Sequence, residues 1–75
     1  MKVRILVSFK KGVFDPEGDT IKRTLHNLGY EEVEDIKVKK IFELEIDEEK
    51  HDERRIEDIA SDILSNPVIE DWEIL

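Results

Sequence analysis

The sequence predicts an α+β fold: a ferredoxin-like β-α-β-β-α-β two-layer sandwich, with a four-stranded antiparallel sheet and two helices on one face. Three observations carry this expectation. The chain opens on an alternating apolar run, two stretches repeat their apolar residues at helical spacing, and short period-2 runs follow each of them. Two right-handed β-α-β crossovers in one small sheet put both helices on the same side.

The first strand is read from Lys2 to Lys10. Val3, Ile5, Val7 and Phe9 fall on one side, and Lys2, Arg4, Ser8 and Lys10 on the other, with Leu6 the one apolar residue on the polar side. Such alternation marks a strand with one buried face. Asp15 before Pro16 then reads as an N-cap followed by proline in the first helical position. Glu17 and Asp19 suit the positive end of that helix. It should run from Pro16 to Leu28, where Ile21, Leu25 and Leu28 lie within about 60° of one another. Gly29 supplies the stop.

An acidic connector, Glu31 to Asp35, leads into two further period-2 runs. Ile36 and Val38 share one side of the first, and Phe42, Leu44 and Ile46 share one side of the second. With Lys39 and Lys40 between them, the pair reads as an antiparallel hairpin, although no Asn-Gly or Asp-Gly marks its turn. In the usual strand order 4-1-3-2, the helix-free face would set Lys2, Arg4 and Lys37 beside Glu43 and Glu45. After a polar loop, a second helix from Asp52 to Leu64 turns Ile56, Ile59, Ala60, Ile63 and Leu64 to one stripe. Arg54 and Asp58, spaced i,i+4, should pair on its surface. Pro67 stops this helix and biases Asn66 toward extended geometry, so residues 66–67 form a corner into a last strand, Val68 to Leu75, where Trp72 and Ile74 point the same way.

With 75 residues this is a single domain, residues 1–75, with room for only a modest core. Association with other chains is the natural remedy. No cysteine is present, which excludes disulfides, thiolate zinc sites and thiol nucleophiles. Lacking any long apolar run, the sequence implies no membrane partner and a cytoplasmic location. The formal charge of -8 is uneven: residues 1–40 carry 9 Lys/Arg against 7 Asp/Glu, and residues 41–75 carry 3 against 13. Nucleic acid is therefore not an expected partner, since its backbone demands a concentrated positive field.

Chemistry is sparse. His26 lies off the apolar stripe and His51 sits in the acidic loop, so both read as surface histidines; His51 with Asp47, Glu48, Asp52 and Glu53 lacks the fixed spacing of a metal site. The many carboxylates make any one pair uninformative, no serine stands in a nucleophile elbow, and the glycines form no phosphate cradle. No catalytic, metal or cofactor site is expected in this chain. Phe9 and Phe42 follow core-side parity, unlike the exposed aromatics of an RNA-recognition sheet.

Four segments taken together resemble PurS, the small subunit of phosphoribosylformylglycinamidine synthase. They are residues 2–10, the Asp15-Pro16-Glu17-Gly18 helix start, the run from Val33 through Leu44, and Asn66-Pro67-Val68-Ile69-Glu70-Asp71. The resemblance spans essentially the whole chain; Lys39 and Trp72 depart from the glycine and tyrosine common in the family. It implies a non-catalytic bridge between a glutaminase subunit and a large synthetase subunit. The latter uses ATP and Mg to convert formylglycinamide ribonucleotide to the amidine. Asp15, Pro16, Glu17, Gly18, Asn66, Pro67, Val68, Ile69 and Glu70 are the residues expected to meet partners, against a plainer reading in which both motifs only cap a helix and turn a corner. A two-fold homodimer, or a dimer of such dimers, is also expected. The alternative is a regulatory domain that senses an amino acid or nucleotide at its own dimer interface.

Overall fold

A computed structural model describes all residues, 1–75. The elements in order are β1 (Lys2–Phe9), α1 (Pro16–Asn27), β2 (Lys40–Glu45), a 3-10 turn (Glu48–Lys50), α2 (Glu53–Ile59) running on into a π-helical turn (Ala60–Leu64), and β3 (Glu70–Ile74). The sheet has three strands, in the order β2-β1-β3, both pairs antiparallel. Ile5 stands opposite Phe42 on one side and Ile74 on the other, and Val7 stands opposite Trp72.

The core forms where the alternating pattern of β1 meets α2. Val3, Ile5 and Val7 pack on Ile56 and Ala60, and Phe42, Leu44, Ile46, Leu64 and Trp72 close around them. On the opposite face Arg4 Nε donates to Glu43 Oε1 at 2.9 Å and Lys2 Nζ lies 4.0 Å from Glu45 Oε1. Exposed pairs of this kind contribute at most about 1 kcal/mol each, so they fix register more than they stabilise.

Two expectations fail for physical reasons. The hairpin strand at Ile36 and Val38 does not form, so the sheet lacks the fourth strand and Lys37 does not join the charge pairs. The Val38 N–H donates instead to Asp15 Oδ2 at 2.8 Å, across a gap in sequence that sets this segment against the start of α1. Nor does α1 lie on the sheet: none of its apolar side chains enters the core, and Leu28 is 69% exposed. Helix α1 and the segment that returns along it form an arm standing clear of the sheet.

The molecule is accordingly long, 53 × 24 × 14 Å, with a radius of gyration of 16.0 Å against about 11 Å for a compact chain of this length. Its accessible surface is 6028 Å², roughly 1,200 Å² more than a compact monomer of its mass exposes. Only 7 of the 75 residues are buried, so the fold as a single chain is under-packed.

The π turn corrects a further detail. Ser65 N–H reaches back five residues to Ala60 O at 3.1 Å, and its hydroxyl donates to the same oxygen at 2.8 Å. The wider turn slows rotation about the helix axis. Leu64 packs on the core as expected, but Ile63, expected on the same stripe, is turned out and left 75% exposed. The expected Arg54–Asp58 pair is not made, as the ion pairs lie elsewhere. No helix is long and apolar enough to cross a membrane.

Candidate docking site

Asp15 organises one end of the molecule. As the N-cap of α1 it accepts from the Gly18 N–H at 2.9 Å through Oδ1, while Oδ2 holds Val38 N–H. Hydrogen bonds from the backbone N–H groups of Gly18 and then Val38 hold its carboxyl below the ordinary aspartate range, because both reward the charged form. Pro16 takes the first helical position, where its missing N–H costs nothing. Gly18 is buried because a side chain there would collide with the carbonyl oxygen of Ile36. The expected cap is thus also a clamp, fastening the arm's two segments together where they leave the sheet.

The second motif closes on itself. Asn66 Oδ1 accepts from Val68 N–H at 3.0 Å, Asn66 O accepts from Ile69 and Glu70 N–H at 3.1 and 2.7 Å, and Glu70 Oε1 accepts from Asn66 N–H at 2.8 Å. Lys10 N–H donates to Ile69 O at 2.8 Å, tying the corner to the end of β1. Pro67 sits at its turn, and Val68 projects from it, 80% exposed.

These motifs, far apart in sequence, meet in space. Asp15, Pro16 and Glu17 line one notch together with Glu70, of ≈ 150 Å³, with Val7, Phe9 and Val38 behind them. Gly18 is buried, whereas Asn66, Pro67, Val68 and Ile69 are exposed and do not line the notch. The result is a rim of charged residues beside exposed apolar groups. It can seat a partner's surface, and it presents no nucleophile with an adjacent base. His51 and its acidic neighbours do not converge into a group able to hold a metal ion.

His26 is the residue that sequence reasoning missed. It is half-buried, and its Nε2 lies 2.7 Å from Val33 O. Since a carbonyl can only accept, the ring donates from Nε2. The helical count correctly placed His26 off the apolar stripe, but only the return of the chain along α1 gives it a partner.

The whole of this architecture is matched by a family of known proteins. The family profile described as PurS: Phosphoribosylformylglycinamidine (FGAM) synthase matches residues 2–75. The chain belongs to the PurS family. The Bacillus subtilis phosphoribosylformylglycinamidine synthase subunit PurS is 36% identical over 72 residues, which cover 95% of this chain and 86% of that protein. Its counterpart from Methanothermobacter thermautotrophicus is 39% identical over 74 residues, covering 96% and 87%. Among solved structures, Bacillus subtilis PurS superposes with a TM-score of 0.90 at 35% identity, covering 99% of this chain and 94% of that one. Methanocaldococcus jannaschii PurS, one of the subunits of formylglycinamide ribonucleotide amidotransferase in the purine biosynthetic pathway, superposes with a TM-score of 0.82 at 34% identity, covering 99% and 92%.

Proposed function

We propose that this chain is the small, non-catalytic subunit of a cytoplasmic phosphoribosylformylglycinamidine synthase in purine biosynthesis. There it joins the glutaminase subunit to the large synthetase subunit while ammonia from glutamine is used to make the amidine. The observation that carries the reading is the family match from residue 2 to residue 75. The site supports it, since the rim built from residues 15–18 and 66–70 offers shape, exposed apolar groups and fixed charge but no reactive pair. The chain binds no cofactor in this reading, and ATP and Mg belong to the large subunit.

The working unit is a homodimer, or a pair of such dimers. The surplus surface of the extended chain, about 1,200 Å², is enough for one side of a standard interface, which needs about 800 Å² per partner. Helix α1 supplies the apolar part, with Ile21, Leu25 and Leu28 turned away from the chain's own core. Laid on the sheet of a second copy, the arm would restore the second helix of the two-layer ferredoxin-like arrangement and give the outer edge of β2 a neighbour.

Co-purification tests the bridging role. Tagged chain expressed with both large subunits should retain both, and should lose one or both when Glu17 and Glu70 are changed to lysine together. Capture of neither subunit by the unaltered chain would overturn the proposal.

A further inference from the structure

A second and larger cleft lies at the base of the arm, sharing Ser8, Phe9, Asp15 and Val38 with the notch, and the lysines that line it are not among the docking residues. Its volume is ≈ 300 Å³, at the lower end of the range for small-ligand sites. Lys22, Lys37 and Lys39 line it, and none of the three has a carboxylate partner. That is unexpected in a chain where 20 acidic residues outnumber 12 basic ones. Apart from Asp35, the other charged groups there are already engaged. Lys10 lies 3.9 Å from Asp71, Asp19 pairs with Arg23 at 3.2 Å, and both oxygens of Asp15 hold backbone N–H groups.

Asp35 is the one carboxylate of the lining left without a partner. With the ionised Asp15 and Asp35 set against the three free ammonium groups, the cleft is still at about +1 in a chain of net charge -8, which favours an anion such as a phosphate monoester, charged -1.5 to -2 near neutral pH. Lysines serve such a group as mobile point charges. The lining also has an apolar side. Val13 and Phe14 line it, and Phe14 is 67% exposed. We infer that this cleft binds a small phosphate monoester, its phosphate among Lys22, Lys37 and Lys39 and its ring or apolar body against Phe14.

Titration of the isotope-labelled full chain with phenyl phosphate, followed by amide NMR, tests the assignment. Saturable shifts confined to residues 13–14, 22 and 35–39 are expected, with inorganic phosphate acting at the same residues more weakly. The double variant Lys37→Glu, Lys39→Glu should bind about tenfold or more weakly, the usual loss when charged hydrogen-bond donors are removed, while its spectrum elsewhere stays unchanged. Phe14→Ala should weaken phenyl phosphate and leave inorganic phosphate as it was. Equal shifts from sodium chloride at matched ionic strength, equal binding of phenylacetate, or undiminished binding by the double variant would each overturn the inference.

Discussion

Asp15 commits both of its carboxylate oxygens to backbone N–H groups, and the consequences can be measured. Those bonds favour the ionised form, so the stability they give is present above the unfolded-state pKa and is lost as pH falls through the lowered folded-state value. Acid unfolding of the chain should therefore lose part of its steepness below the ordinary aspartate range in Asp15→Ala, which should also melt lower at neutral pH. An acid limb identical in the two proteins would show that the clamp contributes nothing. Gly18 gives a sharper case because two effects oppose each other. Helix propensity alone favours alanine by about 1 kcal/mol, whereas the Ile36 carbonyl leaves no room for a Cβ. We expect Gly18→Ala to destabilise by about 1–3 kcal/mol, as overpacking does, in a denaturant titration; a stabilised variant would refute the close approach. The cap at Asp15 and Pro16 was legible in the sequence because capping is local. The Val38 and His26 bonds were not, since each depends on a segment distant in sequence.

At the scale of elements, β1 was readable because alternation over eight residues, broken only at Leu6, admits one face to the core. Ile36 and Val38 alternate too, yet alternation reports an extended backbone and not which donor or acceptor pairs with it; here the pairing goes to Asp15. Helix α2 was read correctly up to Ala60; beyond it a π turn that no sequence period announces keeps Leu64 on the expected stripe and turns Ile63 out of it. The energetic contrast follows. Ile56→Ala, at a site 4% exposed, should cost about 2–5 kcal/mol. Ile63→Ser should cost no more than about 0.5 kcal/mol, as exposed substitutions usually do. Comparable losses in thermal or denaturant unfolding would mean that the helix keeps α-helical register through its last turn.

For the whole molecule, the decisive quantity is surface. The sequence announced a small core and pointed to association, but it placed α1 on the chain's own sheet, because helical periodicity identifies an apolar face without saying whose core it joins. An arm held out by the Asp15 clamp and the His26 bond leaves that face to another copy. Sedimentation should find a dimer or larger assembly, with a melting temperature that rises with protein concentration as linkage requires. Leu28→Asp should shift the population toward monomer and lower the melting temperature. A monomer at every concentration, with α1 still helical, would contradict this.

The central claim is that the chain connects two enzymes and performs no chemistry. Its most direct test is glutamine-dependent amidine formation, measured with purified large synthetase and glutaminase subunits, with and without this protein. Turnover should appear only when the chain is added, with none from the chain alone. Full activity in its absence, or substrate turnover by the isolated chain, would contradict it.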